Sequence, residues 1–224
     1  MLAHSVAPAD ARPACRHCRD LPTQAAFREP RLLPARAVPP SGLRYPRARP
    51  ICPRMTRIPA WIDDRLAPVD KLHVHLAGLR HKAVSVFVRR GAEILLQRRA
   101  LTKYHTPGLW ANSCCTHPHW DEAPLACARR RLGEELGITG LDPVFRERLE
   151  YRADVGGGMV EHELVDVFVA DAGPGLQPMP DPVEVMDTRW VALPQLQDEI
   201  AAEPERFTPW LRIYLERHLE GILG

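Results

Sequence analysis

Residues 121–138 read DEAPLACARRRLGEELGI, and this stretch predicts the helix around which the rest of the fold is arranged. Leu132 and Leu136 recur at helical spacing, as expected of residues on one buried face. Asp121 is suited to cap the first turn, and Gly137 is suited to end the last one. The stretch therefore predicts a helix that runs from Asp121 to Leu136.

Strand-like segments lie on both sides of this helix. Before it, apolar and β-branched residues predict strands over Val84–Val88, Ile94–Gln97 and Trp110–Cys114, the first two joined by a turn around Arg90–Gly91. After it, strands are predicted over Phe145–Arg152, Glu161–Ala170 and Glu184–Leu193, with a turn at Gly156–Gly158, and helices over Pro194–Glu203 and Pro209–Leu223. This order of elements indicates a single α/β domain over residues 55–224.

Residues 1–54 differ in composition from the rest of the chain. They carry ten Arg, no Lys and three acidic residues, a net charge of +7, whereas the remainder carries −5. Rich in Pro, Arg and Ala and without hydrophobic periodicity, they are typical of a disordered extension. A start-site misassignment upstream of Met55 and an organelle transit peptide are alternatives. Because aromatic residues do not interleave regularly with the Arg residues, nucleic acid is not expected as a partner.

Hydropathy and cysteine usage predict a soluble protein of a reducing compartment. No apolar run approaches the roughly 18 residues that a membrane-spanning helix requires. Two of the six cysteines, Cys114 and Cys115, are adjacent and therefore poorly placed for a disulfide, and a domain of this size does not need one. A cytoplasmic location is expected, and the oligomeric state is left open.

Two short motifs carry groups suited to catalysis and metal binding. Residues 112–118, NSCCTHP, place a thiol and an imidazole two residues apart in a loop before the helix. Residues 161–163, EHE, lie on a predicted strand, so Glu161 and Glu163 project from one face and His162 from the other. Carboxylates paired in this way favour a cation between them, and with imidazoles they form a ligand set for zinc or manganese. Further histidines available for such a site are His73, His75, His81, His105, His117 and His119.

The segment from Thr116 to Ile138 resembles the signature of the Nudix hydrolases. Glu122 matches its first Glu, and the stretch that begins at Arg130 matches its conserved Arg and final Glu pair. Two departures stand out, because Thr116 replaces the opening Gly and Arg131 replaces a metal-binding Glu. The missing carboxylate argues against ordinary diphosphate hydrolysis.

A more specific resemblance covers the chain from about Met55 to the end. The blocks LQRRALTKYHTPGLWANSCCTHP (96–118), RRLGEELGI (130–138), EYRADV (150–155), VEHE (160–163) and FTPWLRIYL (207–215) resemble the type 1 isopentenyl-diphosphate isomerases. The resemblance implies an α/β (α+β) fold with a Nudix-like mixed β-sheet sandwiched by helices. It also implies an isomerase that converts isopentenyl diphosphate into dimethylallyl diphosphate, in isoprenoid biosynthesis, with this small-molecule diphosphate as its partner.

The resemblance also assigns roles to individual residues. It implies catalysis by Cys115, Glu163 and Tyr151. The implied ligands of one tightly bound divalent ion, Mn²⁺, Zn²⁺ or Mg²⁺, are His75, His81, His117, Glu161 and Glu163, with His73 as an alternative to His75. Glu135 fits a position that helps to hold Mg²⁺ on the substrate diphosphate. The diphosphate itself is expected to bind Lys71, Arg99, Lys103 and Arg131, and the hydrocarbon to lie under Trp210.

The implied reaction explains why such groups are required. A proton is added to the terminal carbon, which gives a tertiary carbocation, and another is removed from C2 by a group on the opposite face. Glu163, with Tyr151 beside it, is expected to deliver the proton and the Cys115 thiolate to remove one, with the roles exchanged in reverse. A thiolate at neutral pH needs positive surroundings, which the metal and the basic residues could supply. The indole of Trp210 suits a nearby cation, and the segment that carries Lys71 and His75 is expected to exclude water.

Two competing functions follow from the same residues. A Nudix hydrolase of a nucleoside diphosphate derivative would release phosphate, but it leaves Cys115 without a role. A non-catalytic metal-binding or interaction module would keep the hydrophobic pattern, but it does not need Cys115, Glu163 and Trp210 together. For the isomerase, Arg131 is suited to bind a diphosphate without cleaving it, because its forked donors match phosphate oxygens.

Overall fold

One long strand, β3, organises the sheet in residues 56–224, the part of the chain that the computed structural model describes. The predictions for residues 1–54 lie outside the described residues. The strands of the described part are β1 (Arg57–Ile62), β2 (Arg65–Asp70), β3 (Arg80–Arg90), β4 (Glu93–Arg99), β5 (Trp110–Asn112), β6 (Cys114–Thr116), β7 (Val144–Gly156), β8 (Met159–Asp171) and β9 (Val185–Ala192). The helices are α1 (Lys71–Ala77), α2 (Pro124–Leu136), α3 (Leu193–Ala202), α4 (Pro209–Arg217) and α5 (Leu219–Leu223), with a 3₁₀ turn at Pro204–Arg206.

The pairing of β3 brings two distant segments of the chain to the same face of the sheet. Along one edge β3 is parallel to β8, and His81 is opposite Glu163. Along the other edge it is antiparallel to β6, and Ser85 is opposite Cys115. Since residues four apart on a strand share a face, the sheet register directs Cys115 and Glu163 to one side. The predicted mixed sheet is confirmed, with β3–β8 parallel and the remaining ladders antiparallel.

Alternating residues of β3 supply both hydrophobic cores. Phe87 contributes to a core that includes Trp210 and Tyr214 of α4, whereas Val86 contributes to a second core with Leu132 of α2. The helices therefore cover both faces of the sheet, and β3 is buried from both sides. In the described part of the chain, no helix is both long and apolar enough to cross a membrane.

The strand predicted over Trp110–Cys114 is instead two short strands separated at Ser113. The hydroxyl of Ser113 accepts a hydrogen bond from the backbone N–H of Val88 (2.7 Å) and donates one to the carbonyl of Leu95 (2.7 Å). A side chain thus bridges β3 and β4 where the chain passes from β5 to β6. The prediction of one continuous strand was wrong because this serine takes over backbone hydrogen bonding.

The predicted start of one long helix and the predicted continuity of another also need correction. Helix α2 begins at Pro124, its cap position is Ala123, and Asp121 does not cap it. Asp121 lies in the left-handed region (φ 64°), in the turn that precedes the helix. The predicted helix Pro209–Leu223 is broken at His218, which has φ −128° and whose ring Nδ1 lies 3.0 Å from Oε1 of Glu147.

The hairpin of β1 and β2 and the short helix α1 were not among the predicted elements. Asp63 and Asp64 form the hairpin turn with positive φ values of 47° and 62°. Helix α1 begins after Asp70, whose carboxylate accepts the backbone N–H of His73 (3.0 Å), and it ends at Gly78 in the left-handed conformation. Val74 packs against Ile58 and Ala60 of β1, and this contact fixes α1 beside the sheet.

Candidate active site

Two histidines near the start of the described chain present an unpaired ring nitrogen to the interior. His75 is fully buried on α1, and its Nδ1 donates to the carbonyl of Lys71 (2.7 Å). His81 is fully buried at the start of β3, and its Nδ1 donates to the carbonyl of Leu79 (2.8 Å). Within the described residues, these bonds leave Nε2 of each ring with a lone pair and without a hydrogen-bond partner. Nε2 of His81 lies 3.5 Å from Oε1 of Glu163. A backbone carbonyl on one nitrogen and a free second nitrogen is the usual arrangement of a metal-binding imidazole.

The candidate ligands form two overlapping groups. Ligand atoms of His75, His81, His117 and Glu163 lie within 4.8 Å of one another, and those of His75, His105 and Glu161 do so as well. Four of the five residues predicted to bind the tight ion therefore lie in the first group, and the fifth, Glu161, lies in the second group with His75. Buried nitrogen and oxygen donors in this combination fit a divalent ion.

His73, the predicted alternative to His75, is outside both groups. It is exposed on α1, and its backbone N–H bonds to Asp70 at the cap. The helical turn places His75, and not His73, on the side of α1 that is buried.

Tyr151 connects the two carboxylates. Its hydroxyl lies 2.7 Å from Oε2 of Glu163 and 2.9 Å from Oε2 of Glu161, so it donates to one of them at a time. Nε2 of His117 lies 3.1 Å from Oε1 of Glu163. Burial raises the pKa of Glu161, and the charge of Glu163 raises it further. Two buried carboxylates at this spacing cannot both be ionised without a compensating positive charge.

Cys115 lines the same cleft as Glu161, Glu163 and Trp210. Burial raises the pKa of its thiol, and the carboxylates of Glu163 and Glu161 raise it further, whereas Arg99 lowers it. Among the described residues, Arg99 thus favours the thiolate form of Cys115, as expected of a basic group, while burial and the two carboxylates oppose it. Cys114 is fully buried in the opposite core, beside Leu132.

Basic side chains surround the outer part of the cleft. Lys71, Arg99, Lys103 and Arg131 all line it. Burial, together with the charges of Lys103, Arg131 and Arg99, lowers the pKa of Lys71 to about 8. These are the four residues that were predicted to bind a diphosphate, and mutual repulsion of this kind is relieved when an anion binds.

The guanidinium of Arg99 has a second function in the structure. It donates to the carbonyls of His105 (3.0 Å) and Thr106 (3.2 Å) and lies 5.2 Å from the ring centre of Trp210. Arg99 thus fixes the loop after β4 against the aromatic wall of the cleft.

Glu135 lies in neither of the two ligand groups. It is buried on α2, where its carboxylate accepts hydrogen bonds from Arg131 (2.6 Å) and Gln97 (3.1 Å). Glu122, the first Glu of the signature, pairs with Arg130 (2.7 Å). Glu122 and Glu135 are thus each paired with an arginine. Of these two arginines, Arg131, the partner of Glu135, lines the cleft.

The sequence assigned no specific role to three residues at or beside this cleft. His105 is buried, with Nε2 3.7 Å from Oε1 of Glu161, and its ring stacks on that of His75 at 5.3 Å. Tyr104 packs edge-on against His75 at 5.7 Å. Glu184 pairs with Lys103 and Arg131. His105 was among the histidines noted in the sequence, but an isolated imidazole in a loop gives no spacing signal, and Glu184 lay within a predicted strand.

Comparisons with known proteins agree with this architecture. The NUDIX domain model matches residues 79–211. An isopentenyl-diphosphate Delta-isomerase of Dinoroseobacter shibae is 64% identical over 167 residues, which cover 75% of this chain and 95% of the relative. One of Cereibacter sphaeroides is also 64% identical, over 75% of this chain and 94% of the relative. A solved structure from Deinococcus radiodurans, with 16% identity, aligns with a TM-score of 0.57 over 72% of this chain and 98% of its own.

Proposed function

The chain belongs to the isopentenyl-diphosphate Delta-isomerases of the NUDIX domain family, and from this membership we propose that it converts isopentenyl diphosphate into dimethylallyl diphosphate. The observation that carries the proposal is the shared cleft of Cys115 and Glu163. They reach it from strands on opposite edges of β3, so an alkene between them has a proton-transferring group on each side.

The proton transfers are assigned to these two side chains. Glu163, bonded to Tyr151, must first take up a proton, because His117 and His81 outweigh the effect of burial and lower its pKa. It then delivers this proton to the terminal carbon, and the double-bond electrons form the new C–H bond. The resulting tertiary cation loses a proton from C2 to Cys115, which regenerates a double bond between C2 and C3. In the reverse direction the two groups exchange roles. Tyr151 keeps the carboxyl oriented, since it bonds to Glu163 in the interior of the sheet.

His75, His81, His117 and Glu163, with Glu161 from the neighbouring group, are proposed to hold one divalent ion. The Nε2 atoms of His75 and His81, which lack a hydrogen-bond partner within the described residues, support this assignment. Such an ion supplies the positive charge that two buried carboxylates and a thiolate require. Zinc and manganese both suit the mixture of imidazole and carboxylate, and magnesium is the third candidate. The chain's own contribution is to keep each ring in the tautomer that leaves Nε2 available.

The diphosphate is proposed to bind the basic groups of the cleft, with Mg²⁺ on its oxygens and Glu135 beside it. Mg²⁺ in proteins is commonly held by one or two carboxylates and by substrate phosphates. Trp210 lies at the hydrocarbon end, where its ring can stabilise the cation by roughly 0.5–2 kcal/mol. Because the cation must not meet water, the burial of Tyr151 and Glu163 and the half-buried position of Cys115 suit the chemistry. A catalytic thiol acts in its reduced form, which a reducing compartment preserves, and this supports a cytoplasmic location.

One incubation tests the function directly. The protein is mixed with isopentenyl diphosphate and Mg²⁺ in D₂O, and the products are followed by NMR. Dimethylallyl diphosphate that carries deuterium in a methyl group is expected. Free phosphate with no isomerised product would support a hydrolase, and unchanged substrate would contradict both activities.

A further inference from the structure

Glu184 is a carboxylate within the cluster of basic side chains that is proposed to bind the diphosphate. It forms an ion pair with Lys103, and its Oε1 lies 3.6 Å from Nη2 of Arg131. Lys103, Arg131 and Glu184 are 21%, 19% and 27% exposed, so the pairs are only partly accessible to solvent. An anionic side chain therefore lies between two of the groups that a substrate anion must contact.

The backbone around Glu184 is hydrogen-bonded to the segment just after β4, which leads to Lys103, and, through Asp181, to α2, which carries Arg131. The carbonyl of Glu184 accepts the N–H of Ala100 (3.0 Å), at the end of β4, and its N–H donates to the carbonyl of Asp181 (3.0 Å). The N–H of Asp181 in turn donates to the carbonyl of Glu135 on α2 (3.0 Å). The position of Glu184 is thus determined by the same backbone that positions Lys103 and Arg131.

Carboxylates offset part of the positive charge of the basic side chains in this site. Lys71, Arg99, Lys103 and Arg131 supply four positive charges, and Glu135 and Glu184 offset two of them. Burial would raise the pKa of Glu184, but Lys103 and then Arg131 outweigh it and lower that pKa, so the carboxylate is ionised at neutral pH. A metal-free diphosphate ester carries more negative charge than its Mg²⁺ complex, so it meets the stronger repulsion from the ionised carboxylate of Glu184.

We propose that Glu184 determines the ionic form of the substrate that the site accepts. By occupying the space between Lys103 and Arg131, it disfavours the metal-free diphosphate through like-charge repulsion and admits the Mg²⁺ complex, in which that repulsion is cancelled. The proposal rests on the proposed function and adds to it a specificity-determining residue. Glu184 acts on the charge of the diphosphate and takes no part in proton transfer.

The test measures binding of inorganic pyrophosphate by calorimetry, with Mg²⁺ present or omitted, to the unmodified protein and to Glu184→Gln. The unmodified protein is expected to bind pyrophosphate more tightly with Mg²⁺. In Glu184→Gln, metal-free binding should strengthen, and the preference for Mg²⁺ should fall by about tenfold. Glu184→Asp, which keeps the charge, should retain most of the preference. The content of tightly bound metal is measured before and after each titration.

A matched control separates this role from a structural one. Glu134 also pairs with Arg131 (2.9 Å), but from the exposed side of α2, so Glu134→Gln should leave the Mg²⁺ preference unchanged. If Glu184→Gln weakens pyrophosphate binding equally in both conditions, Glu184 merely positions the basic groups and the proposal is wrong. An unchanged preference also overturns it. If the unmodified protein still isomerises isopentenyl diphosphate, such a result leaves the proposed function intact.

Discussion

The hydroxyl oxygen of Tyr151 lies 2.7 Å from Oε2 of Glu163, because the two residues are cross-strand partners in the β7–β8 ladder. The contact is therefore set by sheet register and not by a mobile loop. A carboxyl held in this way keeps one orientation toward the cleft, as a group that transfers a proton to carbon requires.

Removing this hydroxyl should reduce turnover more than it reduces stability. Tyr151→Phe keeps the ring, which packs edge-on against Tyr214 at 5.9 Å, but it leaves Glu163 without its donor. We expect kcat to fall by about 10²-fold, with KM nearly unchanged, in steady-state assays with isopentenyl diphosphate. A kcat equal to that of the unmodified protein would show that the phenol has no part in proton transfer.

The two adjacent cysteines should respond in opposite ways. Cys115→Ala removes a proton-transferring group at the cleft, so activity should fall by at least about 10²-fold while the melting temperature changes little. Cys114 faces the core beside Leu132. Cys114→Ala should therefore retain activity and lose about 1 kcal/mol of unfolding free energy, measured by urea denaturation. The assignment of Cys115 fails if its variant isomerises normally.

Helix α1 offers a matched pair of histidines for a metal test. His75→Ala removes a buried ring whose Nε2 is available to an ion, and affinity for the tight metal should fall by about 100-fold. His73→Ala changes an exposed ring on the same helix and should leave that affinity as it was. Competition with a chromogenic chelator measures both. Equal metal affinities in the two variants would show that His75 is not a ligand of the ion.

The pH dependence of substrate capture should follow Lys71. Its pKa in the folded protein is lowered to about 8, so its charge is present below pH 8 and is lost as pH rises through this value. The ratio kcat/KM should therefore fall above pH 8, mainly through KM. The same pKa shift affects stability in the opposite direction in the free protein. Because the unfolded chain binds the proton of Lys71 more tightly than the folded protein does, the free energy of unfolding should rise as pH increases above 8.

An arginine at this position is the control for the pH profile. Lys71→Arg keeps a charge that does not titrate in this range, so the decline above pH 8 should move to higher pH or disappear. A profile that is the same in both proteins would assign the decline to another group.

Which side chains of β8 share a face was predictable, because successive residues of a strand project to alternate faces of the sheet. Glu161 and Glu163 were expected on one face and His162 on the other, and the structure has both carboxylates buried and bonded to Tyr151, with His162 paired to Glu150 outside. The mixed Nudix-like sheet was likewise predicted from sequence blocks and is confirmed. The catalytic and metal-binding roles of these residues remain predictions.

The N-terminal hairpin was not predictable from local pattern. Pro59 and Pro68 stand opposite each other in the β1–β2 ladder, and proline in a segment argues against a strand unless it lies at an edge. The break at His218 depends on its contact with Glu147, which lies far away in sequence. The position of Glu184 between two basic groups depends equally on tertiary structure, since no spacing in the chain brings it near Lys103 and Arg131.

The hydrogen bond between the ring of His75 and the carbonyl of Lys71 joins the ion site and the phosphate site through a single turn of α1. An ion or a diphosphate that orders this turn lowers the entropic cost of binding the other ligand. If ordering this turn favours both events, thermodynamic reciprocity requires that a bound ion and a bound diphosphate raise each other's affinity by the same factor. The protein would thus retain its metal most firmly while it is turning over, and would be most vulnerable to chelation when starved of substrate.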